Sequence, residues 1–84
     1  MINDKQFKQW LKANTSYSDF VVRDTISRVK RADTFLEWYD EEVYQFYLEH
    51  TDDYKALSTS VRSQIKKAVS LYRKYRIAGN IKNG

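Results

Sequence analysis

The apolar positions of the chain fall at helical spacing almost from its start. Phe7, Trp10 and Leu11 form the first such group, with Asn3 placed to cap the helix and Gln6, three residues on, as its capping-box partner. The polar stretch "ANTSYS" at 13–18 breaks this pattern, and a second helix is expected from Ser18 to about Tyr39. At 100° per residue, Val22, Thr25, Val29, Ala32 and Leu36 gather on one side of it, flanked by Val21, Ile26 and Tyr39. Asp33 sits at the edge of that apolar side, where a kink or restart is admissible; one continuous helix is the expectation. Asp40 is placed to cap a third helix, with Glu41 and Glu42 in a first turn whose dipole favours acid. Val43, Phe46, Tyr47 and Leu48 supply its apolar face, and the pattern fades near His50. "TDDYKALSTS" reads as a connector with a short helical turn around Tyr54–Leu57. A last helix opens at Ser58 or Ser60 and runs to about Ile77. Its inner stripe is Val61, Ile65, Ala68, Tyr72 and Tyr75, with Val69 and Leu71 beside it, and Gly79 is its expected stop.

Composition agrees with the pattern. Eighty-four residues make one domain, expected over 1–78 with a flexible tail at 79–84. Pro is absent and Gly occurs only twice, which disfavours turn-rich β folds and leaves an all-α fold, a compact bundle of four principal helices with a fifth short turn. Without cysteine there is neither a disulfide nor a thiolate metal site, so the core must come from apolar side chains, chiefly two Trp, seven Tyr and four Phe. Of these, Trp10, Leu36, Phe46 and Tyr47 are expected in the core. Tyr17, Tyr44 and Tyr54 are ambiguous, and Trp38 falls on the polar side of the second helix, to cover a neighbouring helix or to meet a partner. No segment is apolar enough to span a bilayer and no export signal follows Met1, so a cytoplasmic location is expected, away from membranes.

Charge changes the picture more than composition does. The net charge is +4, but the signs are segregated. From Asp33 to Asp53 there are acidic residues and no Lys or Arg; from Tyr54 onward there are basic residues and no Asp or Glu. On the last helix the outer half carries Arg62, Ser63, Lys66, Lys67, Ser70, Arg73 and Lys74. Arg62, Lys66 and Arg73 form one row, Lys67 and Lys74 another. A solvated helix face normally mixes signs, because acid–base pairs at i,i+4 stabilise it. Like charges this close repel unless an anion relieves them, and phosphates fit, with Lys and Arg as counter-charges and Ser as a hydrogen-bond donor. The helix dipole accounts for Arg73, Lys74 and Arg76 without a ligand, but not for Arg62 near the N-terminus. The basic row has a competing use, pairing with the acidic 33–53 stretch within the fold or between copies. A second, weaker set is Arg23, Lys30 and Arg31, around "SRVKRA", where Asp24 is placed to engage Arg28. This set is a candidate second wall for a phosphate-binding cleft.

The run "YSDFVVRDTISRVKRADTFLEW" resembles the opening helix pair of the core-binding (SAM-like) domain of tyrosine recombinases and phage integrases. There a Ser or Thr break precedes a long helix ending in an apolar–aromatic segment. "SRVKRA" followed by "STSVRSQIKKAVSLYRKY" also resembles small helical domains attached to phage and restriction-type nucleases. The resemblance covers Phe7 to Tyr75 and implies a four-to-five-helix bundle that clamps duplex DNA through basic helix faces. The recombinases' catalytic Arg/His constellation and isolated nucleophilic Tyr have no counterpart here, so the resemblance implies binding and not strand transfer. The acidic 33–53 stretch departs from what a DNA clamp presents.

Nothing else in the chain points to catalysis. His50 is the sole histidine, there is no glycine-rich phosphate loop, and adjacent carboxylates such as Asp52 and Asp53 suit helix starts. The expectation is therefore a non-enzymatic module without cofactor or metal, of phage, mobile-element or nuclease origin, that binds DNA. The alternative is a small phage or host regulatory protein that binds a protein partner through its acidic or basic surface.

Overall fold

The first helix, α1 (Asp4–Asn14), starts where the polar pattern places it, but its cap is wired differently from a capping box. Asn3 Oδ1 accepts the Gln6 backbone N–H at 3.4 Å, and Gln6 Oε1 takes the Asn3 side-chain amide at 2.9 Å. The Asn3 backbone N–H, which a capping-box glutamine would bind, donates instead to the Tyr72 hydroxyl at 3.0 Å, sixty-nine residues away. This computed structural model describes the backbone of residues 2–83 and the side chains of residues 2–79.

Ser18 caps α2 (Asp19–Phe35), which buries Val22, Thr25, Val29 and Ala32, the stripe read from the sequence. Thr25 loses water without cost because its hydroxyl donates to the Val21 carbonyl at 2.8 Å. The helix ends four residues short of Tyr39. Leu36 adopts an extended conformation, and Asp33 Oδ1 accepts the Trp38 backbone N–H at 2.8 Å, turning the chain back over the helix end. A long-range hydroxyl then completes the stop: Tyr44 donates to the Leu36 carbonyl at 2.6 Å, a group the helix end leaves unpaired, and reaches the Ala32 carbonyl, which already accepts the Leu36 N–H, at 3.3 Å.

Asp40 does not cap the third helix. That helix, α3 (Tyr44–Glu49), begins later, at Val43, with no side-chain cap. Asp40 is instead held by Arg76 and by Trp38 Nε1. Thr51 caps α4 (Asp52–Lys55), the short turn expected in the connector. The last helix, α5 (Thr59–Asn83), starts from Ser58, whose hydroxyl accepts the Val61 N–H at 3.3 Å. Gly79 does not stop it. Gly79 has no positive φ, and the helix continues through it to Asn83; Gly84 of the expected tail lies outside the described residues. The 25 residues of α5 span about 36 Å at 1.5 Å per residue, which matches the 35 Å long dimension of the molecule.

The architecture is all-helical, with no strand among the described residues. α2 and α5 form the central pair, and α1 lies across both. Two apolar clusters fill the bundle. Phe7, Leu11, Val22, Val29, Ala68 and Tyr72 join α1, α2 and α5, while Ala32, Tyr44, Leu48, Tyr54, Ile65 and Val69 join α2, α3, α4 and α5. Complete burial of a side chain such as Leu11 or Ile65 contributes about 1.5–3 kcal/mol. Trp38 packs against both clusters, with its ring 4.7 Å from Tyr44 and 4.8 Å from Tyr72 in edge-to-face contact. Its place on the polar side of a continuous α2 does not arise, because α2 has ended before it.

The third helix departs from the sequence expectation at three of its four apolar positions, with Leu48 alone buried as expected. Tyr44 and Leu48 are buried, and Phe46 (58% exposed), Tyr47 (54%) and Val43 (47%) are not. The ambiguous Tyr54 is also core, its hydroxyl donating to the Arg62 carbonyl at 2.9 Å. Trp10 and Leu36 are half-buried against the clusters.

Candidate nucleic-acid interface

Burial of Ile65, Ala68, Val69 and Tyr72 orients α5 and so determines where its cations lie. Ser63, Lys66, Lys67, Ser70 and Lys74 are exposed. Arg62 and Arg73 are half-buried along the edge nearer α3 and α4. Arg62 is partly built into the fold. Its Nη2 donates to Thr59 Oγ1 at 3.3 Å and its carbonyl receives the Tyr54 hydroxyl, while its Nε is buried without a hydrogen-bond partner.

The acidic stretch lies along that same edge. Arg73 and Lys74 share a groove of about 300 Å³ with Glu41 and Glu42, over a floor that includes Trp38, Tyr44 and Val69. Arg62 and Lys66 share a shallower hollow with Glu49 and Tyr54. The strongest pairing is Arg76 with Asp40: Nη2 meets Oδ2 at 2.7 Å, and Nε lies 3.1 Å from both carboxylate oxygens. The hydrogen bonds from this guanidinium hold the Asp40 carboxyl below its usual range; desolvation opposes them, and the charges of Arg76 and Arg73 and a hydrogen bond from Trp38 assist. Segregated charge in the sequence thus becomes opposed charge across one boundary of α5.

The exposed lysines of the basic face differ from Arg76, although Lys74 and Lys66 border the hollows that hold Glu41, Glu42 and Glu49. Among the described residues, Lys66, Lys67 and Lys74 make no ion pair within 4.0 Å. Ser63, Lys67, Ser70 and Lys74 follow one another at spacings of four, three and four, which is a single strip along three turns of helix. Lys67 continues into a hollow lined by Gln64, Leu71 and Arg28 of α2. Arg28 lies 3.9 Å from Asp24, at the outer limit of an ion pair, so the expected local neutralisation is weak.

The second set does not assemble against α5. Lys30 is paired with Asp4 of α1 at 2.8 Å, which draws the Asp4 carboxyl below its usual range through the Lys30 hydrogen bond and charge. Arg23 shares a hollow with Lys8 and Lys12 of α1, and Lys12 meets Asp19 at 3.2 Å. Arg31 lies over the Phe35 ring, 5.8 Å from its centroid. Arg23 and Lys30 therefore face α1, and no second wall of a cleft forms. The Lys8–Lys12–Arg23 grouping was half legible: Lys8 and Lys12 stand four apart, but only the packing of α1 on α2 brings Arg23 to them.

Burial pushes the Tyr72, Tyr44 and Tyr54 phenols up, and all three hydroxyls are engaged with backbone. They are structural groups here, tying α5 to the start of α1, α3 to the end of α2, and α4 to α5. Among the described residues no group of three or more His, Asp or Glu side chains is arranged to hold a metal ion, and no helix is long and apolar enough to cross a membrane. A scan against protein-family models, a search of curated proteins and a search of solved structures each return no match to this chain.

Proposed function

We propose that this chain is a non-catalytic DNA-binding module that contacts duplex phosphates through α5, in the manner of the core-binding domains of phage integrases. The reading gives it a cytoplasmic setting in a phage or mobile element. The observation that carries it is the outward strip Ser63–Lys67–Ser70–Lys74, joined by Lys66 and bordered by Arg28, with cations and hydroxyls on successive turns and no carboxylate among them. Such a strip follows a phosphate backbone, because lysines supply charge at the spacing of helical turns and serines donate hydrogen bonds between them. Arg62 and Arg73 contribute less because they are half-buried, whereas Lys66 and Lys74, which border the same hollows as Glu49 and Glu41–Glu42, are exposed. Arg23, Lys30 and Arg31 are not part of this contact.

Duplex binding of the native chain and of a Lys67→Glu/Lys74→Glu variant, measured at 50 and 200 mM salt by fluorescence anisotropy, tests the reading. The native chain is expected to bind at low salt and to weaken about 3.5-fold between the two salts for each phosphate contacted. The double reversal is expected to flatten the slope of log affinity against log salt by about 1.8, or 0.9 for each contact removed. Absence of native binding at 50 mM overturns the proposal. An unchanged slope in the variant removes the contact from this strip.

A further inference from the structure

Of the four positions that sequence periodicity assigns to the core in the third helix, Leu48 turns inward and the other three face solvent, with His50 continuing their line. Val43, Phe46, Tyr47 and His50 stand at i, i+3, i+4 and i+7, one face of α3 and its flanking residues, and all four are exposed. The inward side is already filled by Tyr44 and Leu48. Side chains of this size, about half exposed, leave an apolar surface on the order of 300 Å², large enough to be functional on so small a protein.

This ridge is also held in shape. His50 packs on Phe46 with ring centres 4.4 Å apart and planes tilted by 37°, and its Nδ1 lies 2.7 Å from the Phe46 carbonyl, so that nitrogen carries the proton. Phe46 meets Tyr47 edge to face at 5.3 Å. Pre-ordered aromatic side chains are the usual anchors of a binding surface, because little side-chain entropy remains to be lost on association.

The surroundings select the partner. Glu42 precedes the ridge and Glu49 falls along one edge of it, in the hollows they share with Arg73 and Lys74 and with Arg62 and Lys66, and the exposed Asp52 and Asp53 follow its C-terminal end. No Lys or Arg occurs between 33 and 53. Two copies docked ridge to ridge would bring these carboxylates together, which disfavours a symmetric dimer. An anionic bilayer is disfavoured for the same reason. We infer that the ridge is a docking site for a basic amphipathic helix of another protein, which sets apolar side chains at i and i+3/i+4 on Phe46 and Tyr47 and places flanking Lys or Arg against Glu42, Asp52 and Asp53. The ridge residues Val43, Phe46, Tyr47 and His50 lie outside the phosphate strip of α5, and the two surfaces adjoin only at the groove shared by Glu42 and Lys74, so a DNA-bound module would keep the ridge available to a protein.

The test titrates the full chain, isotope-labelled for NMR, with a synthetic 15-residue Leu/Lys amphipathic helix. A Leu/Glu helix of the same pattern, a Ser/Lys peptide without apolar residues and anionic lipid vesicles are titrated in parallel. The inference expects shifts centred on Val43, Phe46, Tyr47 and His50 with the Leu/Lys helix alone, and affinity at least about tenfold weaker in a Phe46→Ser/Tyr47→Ser variant that keeps its helical circular dichroism. A Glu42→Lys variant is expected to bind more weakly and with less salt dependence. No shifts at the ridge, equal binding of the Ser/Lys peptide, preference for the Leu/Glu helix or for vesicles, or ridge shifts that depend only on the chain's own concentration each overturn it. Duplex binding by Phe46→Ser/Tyr47→Ser, expected unchanged, separates failure here from failure of the DNA reading.

Discussion

Replacing Tyr44 by Phe removes one oxygen atom and leaves the ring where it packs, between Trp38 at 4.7 Å and Tyr39 at 5.2 Å. What is lost is the donor that stops α2. The Ala32 carbonyl keeps a partner, the Leu36 N–H at 3.0 Å, so it tolerates the change. The Leu36 carbonyl loses its 2.6 Å bond from the Tyr44 hydroxyl in a half-buried position. A carbonyl left unsatisfied in such a place costs about 1–2 kcal/mol, less where water reaches it. For a domain of this length that lowers Tm by about 5–15 °C. Thermal unfolding followed by circular dichroism at neutral pH measures it, with Tyr47→Phe as the control, because the Tyr47 side chain is 54% exposed and its change should fall within about 0.5 kcal/mol. A second readout is alkaline. Burial, with Asp33 adding to it, raises the Tyr44 phenol above its usual value of 10.0. The folded state therefore holds a proton that the unfolded chain releases above about pH 10, and stability falls as pH rises past that point. Tyr44→Phe should reduce that loss without abolishing it, since Tyr54 and Tyr72 are also raised. Equal Tm values for Tyr44→Phe and the native chain, or equal losses at positions 44 and 47, would refute the inward placement of Tyr44 and with it the outward ridge.

Two further outcomes follow from the same geometry. Asp40→Asn removes the bidentate partner of Arg76, and because both side chains are more than a third exposed the cost is only about 0.5–1 kcal/mol. The Asp40 carboxyl is held below its usual 3.8, so its contribution is present above that usual value and is lost as pH falls through the lowered one; urea midpoints of the native chain and the variant should converge once the pH is below it. Gly79→Ala introduces a methyl that meets nothing within 4 Å at a helical residue without a positive φ, so it should stabilise the chain by up to about 1 kcal/mol in thermal unfolding. A loss of stability there would instead place Gly79 in a left-handed helix stop.

How far the fold was legible depended on whether the deciding group was local. Ser18 and Ser58 at the starts of α2 and α5, and the buried stripes Val22–Thr25–Val29–Ala32 and Ile65–Ala68–Tyr72, were readable because capping and 3.6-residue periodicity act within a few residues. The end of α2 was not, because its stop is made by Tyr44, eight to twelve residues away, and by Asp33 reaching to Trp38. The α3 assignment failed for a different reason. Its sequence carries apolar residues on two faces, Tyr44 and Leu48 on one and Val43, Phe46 and Tyr47 on the other. Periodicity grouped Leu48 with Val43, Phe46 and Tyr47, while packing buried Leu48 with Tyr44, the face that could both fill the α2–α5 gap and satisfy a helix end.

The sequence by itself determined an all-helical chain, the limits of its first helix, the basic outer face of its last, and the segregation of acid from base. These rest on local propensity, capping and composition, which need no knowledge of neighbours. Only the tertiary structure decided that Asp40 answers Arg76 rather than capping α3, and that Lys30 is taken by Asp4. It likewise placed the acidic residues along one border of the basic helix and turned the aromatic stripe of α3 toward solvent. Each of these depends on which side chains meet across helices, and a pattern along one helix is silent about what another brings to it.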